Sequence, residues 1–239
     1  MKAIVNGIEI ECTPSEFVEI TTRQYQSSPT TPKQPATTTH DFGDGRGPVP
    51  AHNHKNGGGW VADTASVAET AFVKEGAVVY GEAEVYGNAI VCGNAVVFGK
   101  AEVRGGAMVF GRAWVCGNAQ VFDNAQVFGR AWVCGNAQVF GNAMVYGRAR
   151  VCGRARVYGN AEVCSDAWAC NGALVYGDAK VHGNAWVSGN AQVFGKAEVY
   201  DNAMVYGDAK VSGDARVFGN FGNVTVCGDV DVSSGVIQK

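Results

Sequence analysis

A six-residue repeat runs through most of this chain and constrains its fold more than any other feature. Every sixth residue from 61 to 217 is Val, except Ala169, and every sixth residue from 65 to 215 is Ala. In the unit V-x-G-x-A-x the third position is usually Gly and the fourth is often Asn. A short period that never slips over such a length predicts a solenoid, because each unit buries its apolar face against its neighbours.

The composition of each unit predicts one short strand followed by one bend. Side chains alternate across a strand, so Ala and Val of A-x-V share the inner face and the residue between them faces outward. That middle residue is often Gln, Glu, Arg, Lys, Met or Trp, which suits an outward position. Gly-Asn then forms the corner, because both residues tolerate a positive φ at low cost.

The outward residues sort by chemical type when the sequence is read at a spacing of 18. One set of outward positions reads Val78, Val96, Trp114, Trp132, Arg150, Trp168, Trp186 and Met204. Two sets of corner positions read Cys116, Cys134, Cys152 and Cys170, and Phe122, Phe140, Tyr158, Tyr176 and Phe194. Three hexads therefore make one coil of triangular section, and the repeat predicts about nine coils.

Three further segments flank the repeat, which is assigned to residues 60–217. Residues 1–24 are predicted to form a small ββα docking unit, a hairpin followed by a helix that Thr13-Pro14 starts. Residues 25–59 contain five of the six prolines and are predicted to be a disordered linker. Residues 218–239 break the repeat and are predicted to cap the last open strand edge.

Charge and apolar content exclude several classes of protein. A formal net charge of −3 argues against a nucleic-acid footprint over the whole chain, and sequence-specific DNA binding is not expected. No apolar run is long enough to span a membrane, and no secretory signal is visible, so a cytoplasmic protein is expected. The eight cysteines are then expected to be free thiols. Stacked cysteines would nevertheless lie within disulfide reach, so a redox or metal strip stays open beside the ordinary surface ladder.

The repeat resembles the hexapeptide-repeat family of left-handed parallel β-helices, best known from bacterial acyltransferases. The resemblance rests on an aliphatic residue followed four places later by a small one, from Val61 and Ala65 through Val211 and Ala215. It implies an all-β, left-handed parallel β-helix that assembles into a homo-oligomer. The Gly-Asn-Ala units also look like those of uncharacterised proteins of bacteriophages and mobile elements, which implies a place in the cytoplasm of a host cell.

The same resemblance raises an acyltransferase alternative, in which a catalytic His lies near loops extruded from the coil. His182 is the only His within the repeat and is the candidate catalytic residue of that alternative. No insertion interrupts the hexads, so no loop is available to build a substrate pocket, and an ordinary ladder position is the preferred interpretation. A zinc site like that of related hydratases would need one His from each of three chains. His52 and His54 are weaker candidate metal ligands, and no cofactor is expected.

Charge and aromatic side chains single out one face as the candidate contact surface. Residues 104–156 contain seven Arg against one Asp, whereas the segments on either side are acidic. Flat aromatic rings beside guanidinium groups suit anionic or aromatic partners. The predicted binding residues are Trp114, Trp132, Trp168, Trp186, Arg112, Arg130, Arg148 and Arg150.

A noncatalytic binding or scaffold protein is the expected function, and several roles for the strip stay open. It could mediate self-association as a trimer or an antiparallel dimer, capture a host protein or a nucleotide as an anti-defence accessory, or only brace the rod. A structural rod in a virion or tail is a further alternative. An antiparallel pair crossing at Arg150 would bring two Arg150 side chains together unless an anion or a register offset intervenes.

Overall fold

The computed structural model describes residues 2–5, 8–11, 38–219 and 224–238, in two compact units that divide between residues 37 and 38. In the first unit, strands Lys2–Val5 and Ile8–Glu11 form an antiparallel hairpin, as the sequence predicts. The predicted helix of this unit lies outside the described residues. The part of the chain described here contains no helix long and apolar enough to cross a membrane.

The second unit is a parallel β-solenoid with three sheets, named here after typical outward residues. The tryptophan sheet consists of Thr39–His40, Val49–Asn53, Trp60–Ala62, Val78–Val79, Val96–Val97, Trp114–Val115, Trp132–Val133, Arg150–Val151, Trp168–Ala169, Trp186–Val187, Met204–Tyr206 and Thr225–Cys227. The glutamine sheet consists of Ser66–Val67, Glu84–Val85, Glu102–Val103, Gln120–Val121, Gln138–Val139, Arg156–Val157, Leu174–Val175, Gln192–Val193, Lys210–Val211 and Asp231–Val232. The methionine sheet consists of Phe72–Val73, Ile90–Val91, Met108–Val109, Gln126–Val127, Met144–Val145, Glu162–Val163, Lys180–Val181, Glu198–Asp201, Arg216–Gly219 and Val236–Gln238.

Neighbouring strands of each sheet are in register at a spacing of 18 residues through the repeat. Trp114 pairs with Trp132, and Val115 pairs with Val133. This confirms the all-β parallel coil of three hexads. Two of the sheets have ten strands, so the solenoid has about ten coils, close to the nine expected from the repeat.

The inner residues of the hexads form one continuous core along the solenoid. From Ala71 to Val217, every Ala and Val at an inner position of the repeat is completely buried. Inner side chains stack on their own residue type in the next coil, as Val133 does on Val151, except at Ala169, which lies between Val151 and Val187. The outward residue between them is therefore free to vary without disturbing the core.

The corner position adopts the left-handed backbone, which explains its composition. Gly135 has a φ of 72°, and a Cβ there would lie 3.0 Å from the backbone nitrogen of Gly153. From residue 81 to residue 213, four corners carry another residue, and each of these has a φ between 55° and 60°: Asp123, Ser165, Asn171 and Asp201. Short polar residues are the ones that visit this region most readily after Gly, so the exceptions follow the same steric rule.

Residues 38–59 differ from the predicted linker, whereas 25–37 lie outside the described residues. Val49–Asn53 pairs antiparallel with Trp60–Ala62 at the first edge of the tryptophan sheet, and Thr39–His40 pairs with it in turn. The ring of His40 stacks on Trp60, with centroids 4.4 Å apart. The segment is ordered because it covers an otherwise open strand edge.

The end of the chain continues the solenoid by one coil, where the sequence predicts a cap over residues 218–239. Thr225–Cys227, Asp231–Val232 and Val236–Gln238 each add one parallel strand to one sheet. Met204 pairs with Thr225, so the spacing there is 21 residues instead of 18. The three extra residues break the periodicity that the sequence analysis relied on, but they leave the sheet pairing intact.

Candidate contact surface on the tryptophan sheet

The four tryptophans of the repeat lie on one side of the solenoid, at outward positions of the tryptophan sheet. Their exposed fractions are 41% for Trp114, 38% for Trp132, 38% for Trp168 and 43% for Trp186. The rings form two pairs, with centroids 5.6 Å apart for Trp114 and Trp132 and 6.2 Å apart for Trp168 and Trp186. The predicted aromatic strip therefore exists as a surface.

Arg150 joins the two pairs of rings into one strip. Its guanidinium carbon lies 4.6 Å from the ring centroid of Trp168 and 5.6 Å from that of Trp132. Both distances are within cation–π range. The strip from Trp114 to Trp186 is thus continuous over five consecutive coils.

The corner that precedes the strip changes its charge along the solenoid. The exposed corner residues are Arg112 and Arg130 before the first pair of rings, Arg148 before Arg150, and Asp166 and the uncharged Asn184 before the second pair. We call these the basic half and the acidic half of the tryptophan face. An open groove of about 500 Å³ lies in the acidic half and is lined by Asp166, Trp168, Asn184 and Trp186.

The two halves meet at a weak ion pair within the chain. The Nη1 atom of Arg148 lies 3.9 Å from Oδ1 of Asp166, and both side chains are more than half exposed. An exposed pair at this distance contributes little to stability. Both groups therefore keep most of their capacity to bind a partner.

The four stacked cysteines border the opposite end of the same strands, and two of them fix the orientation of tryptophans. The indole Nε1 of Trp132 donates to Sγ of Cys116 at 3.2 Å, and that of Trp186 donates to Sγ of Cys170 at 2.9 Å. Each ring thus has a tethered polar end and an exposed apolar face. The sequence analysis missed these contacts, although the recurrence of Cys and Trp at the same period was a visible signal.

The thiols of this ladder also act on one another. Hydrogen bonds from Cys116 and then Cys152 lower the pKa of the Cys134 thiol, and the positive charge of Arg150 lowers it further. The adjacent Cys152 thiol, together with the hydrogen bond from the indole of Trp186, lowers the pKa of the Cys170 thiol. The pKa values of the Cys116 and Cys152 thiols are raised, first by their neighbouring cysteines and then by burial.

Many of the other aromatic residues pack on one another along a different corner. Phe122, Phe140, Tyr158, Tyr176 and Phe194 form one stack, with successive centroids 4.8 to 4.9 Å apart. Arg104 covers the first ring of this stack, with its guanidinium carbon 4.2 Å from the centroid of Phe122. These rings are half-buried, so the four tryptophans are the more exposed aromatic surface.

The histidines do not assemble into a catalytic or metal site in the described structure. The ring of His182 stacks on Tyr200, with centroids 5.0 Å apart, at a corner without an inserted loop. Nδ1 of His52 lies 2.8 Å from Oδ1 of Asp63, while the buried His54 places Nε2 3.0 Å from the backbone oxygen of Ala71. Among the residues that the structure describes, no group of three or more His, Cys, Asp or Glu side chains could hold a metal ion.

Comparison with known proteins agrees with the fold class. A family model described as the YdcK beta solenoid repeat matches residues 137–148 and 149–165. The matched coils contain Arg148, Arg150 and Cys152, at the centre of the tryptophan face. A search of curated proteins finds no match to the chain. The chain is thus similar to β-solenoid repeat proteins, and this match does not confirm the transferase or bacteriophage resemblances.

Proposed function

We propose that this protein is a noncatalytic binding scaffold and that the tryptophan face is its contact surface. The observation that carries the proposal is the continuous strip of four exposed indoles bridged by Arg150. Contiguous exposed apolar side chains mark contact sites, and Trp and Arg are among the residue types that most often dominate binding energy. The buried Ala and Val core gives the strip a rigid support.

The partner that fits this surface best is a second copy of the chain, packed face to face and antiparallel. Such a pair brings the basic half of one copy against the acidic half of the other. With the twofold axis between the coils of Arg150 and Trp168, each Arg150 faces Trp168 of the second copy, and each Trp132 faces Trp186. Arg148 then faces Asp166. This one-coil offset avoids the contact between two Arg150 side chains and satisfies the isologous symmetry of a dimer.

A charge exchange tests this arrangement. We expect the mass in solution, measured by analytical ultracentrifugation over a range of concentrations, to be that of a dimer. Arg148→Asp and Asp166→Arg should each weaken the dimer, because each places like charges opposite one another, and the double variant should restore it. Arg156→Asp is the matched control, because Arg156 is an exposed arginine on the glutamine sheet.

The results of these measurements distinguish a dimer formed through the tryptophan face from the alternatives. A protein that stays monomeric at every concentration would contradict self-association. A dimer that all these variants leave unchanged would place the interface on another face of the solenoid.

Two more specific biological roles follow from the resemblance to bacteriophage proteins. In that setting the same face captures a host protein or a nucleotide as an anti-defence accessory, or packs the rod into a virion. Guanidinium groups beside indoles suit a phosphate-bearing base. Nucleotide binding by the isolated protein that is lost in Arg130→Glu would support the capture role over self-association. Acetyl transfer from acetyl-coenzyme A that disappears in His182→Ala would instead support the acyltransferase alternative.

A further inference from the structure

The cysteine ladder beside the tryptophan face has the geometry of a reactive thiol pair. Cys116, Cys134, Cys152 and Cys170 follow strands that are paired in register in consecutive coils. The register continues through the cysteines themselves, because the backbone nitrogen of Cys134 donates to the oxygen of Val151 at 2.9 Å. Neighbouring strands lie about 4.8 Å apart, which falls within the Cα separation that a disulfide allows.

Two members of the ladder differ from the other two in access. Cys116 and Cys170 are only 7% and 6% exposed, and each accepts a hydrogen bond from an indole. Cys134 and Cys152 are half-buried and lie next to each other between them. The central pair is therefore the part of the ladder that a small reagent can reach.

We propose that Cys134 and Cys152 form a redox site that a low-molecular-weight disulfide, such as oxidised glutathione, converts reversibly into an intramolecular disulfide. This site is distinct from the proposed dimer interface and does not depend on it. Cys134 is the attacking residue, because it is not buried and the adjacent thiols, together with the positive charge of Arg150, lower the pKa of its thiol. Cys152 is the resolving residue, since it lies beside Cys134 in the next coil and, unlike Cys116 on the other side, is not buried.

The exchange balances without any other reactant. The Cys134 thiolate attacks one sulfur of oxidised glutathione, the glutathione S–S bond breaks, and one glutathione thiolate leaves and takes up a proton. Cys152 then loses its proton to solvent and attacks Sγ of Cys134, which releases the second glutathione. Two protein thiols and one glutathione disulfide become one protein disulfide and two glutathione thiols. Excess reduced glutathione drives the same steps backwards.

Mass spectrometry of the full chain tests the site directly. After incubation with oxidised glutathione and alkylation of the remaining thiols, we expect a loss of two hydrogens and a peptide that links Cys134 to Cys152. Cys134→Ser should abolish the link, and Cys152→Ser should leave glutathione attached to Cys134. Cys164→Ser is the matched control, because Cys164 is half-buried at a corner of the methionine sheet, and this variant should still form the link.

Two results would overturn the proposal. One is glutathione attachment at similar rates on Cys92, Cys134 and Cys164, which would show three ordinary half-buried thiols. The other is a disulfide between other cysteines of the chain, with Cys134 and Cys152 still reduced. Both results can be read whether the chain is a monomer or a dimer, so they are separable from a failure of the proposed interface.

Discussion

The basic and acidic halves of the tryptophan face have nearly the same aromatic geometry and opposite borders. Each half presents two tilted indoles about one coil apart, and in each half the second indole donates to a cysteine sulfur. Arginines line the first pair, whereas Asp166 and Asn184 line the second. The core repeat fixes the geometry, and the outward and corner positions set the chemistry independently of it.

This comparison explains why the face suits a copy of itself. A surface with one charge along its whole length would repel an identical surface, whereas a surface divided into opposite halves attracts its own antiparallel copy. Arg150 lies at the boundary, where a one-coil offset gives it a ring to stack on. The two halves are therefore complementary parts of one interface in the proposed dimer.

The largest expected effect comes from removing one of the indoles that face another indole across the proposed interface. Trp132→Ala and Trp186→Ala should weaken the dimer by a similar amount, because these rings face each other across the proposed interface. A buried Trp at the centre of an interface is typically worth about 2 kcal/mol or more, which corresponds to about a thirtyfold loss in affinity for each ring. Sedimentation equilibrium measures the dissociation constants.

Trp114→Ala is the matched control, since in this arrangement Trp114 lies at the rim opposite Met204. It should weaken the dimer less than either central substitution. A greater loss for Trp114→Ala than for Trp132→Ala would move the centre of the interface towards the basic half and contradict the one-coil offset.

A smaller effect is expected at the boundary between the halves. Arg150→Gln removes the cation–π contacts and should weaken the dimer by about 0.5–1 kcal/mol, or a few-fold in the dissociation constant. Arg150→Lys keeps the charge but loses the planar stacking, so its effect should fall between those of Arg150→Gln and the unchanged protein. If Arg150→Gln instead strengthened the dimer, two Arg150 side chains would face each other, and the axis would pass through that coil.

The solenoid itself could be read from the sequence because its determinants are local and periodic. Val and Ala at fixed spacing define the core, and Gly at the corners records a backbone conformation that most residues avoid. The exceptions at Asp123 and Asn171 obey the same rule, so even they were compatible with the prediction. The vertical pairing of Trp114 with Trp132 followed from the period of 18.

The two ends of the solenoid could not be read in this way, because pairing there depends on distant partners. Val49–Asn53 contains Pro50, which disfavours a strand, and it becomes a strand only against the edge offered by Trp60–Ala62. The strands of the final coil pair normally after spacings of 21, 21 and 20 residues, which hides them from a search at a period of 18. The indole-to-sulfur hydrogen bonds were missed for a related reason, since a diagonal contact over 16 residues combines two ladders that the sequence analysis treated separately.

Those hydrogen bonds give the smallest expected effect and the finest comparison of the two halves. Cys116→Ala removes the acceptor for Trp132, and Cys170→Ala removes the acceptor for Trp186. Both rings are more than a third exposed, so water can replace the sulfur, and the loss of unfolding free energy should be at the low end of the usual range of about 0.5–1.5 kcal/mol.

The indole N–H signals in an NMR spectrum should respond selectively to these substitutions. Cys116→Ala should shift the resonance of Trp132 and leave that of Trp186 in place, and Cys170→Ala should do the reverse. Cys92→Ala, at a corner of the methionine sheet, should shift neither. A joint shift of both resonances in either variant would mean that the two halves are coupled through the thiol ladder and are not independently built.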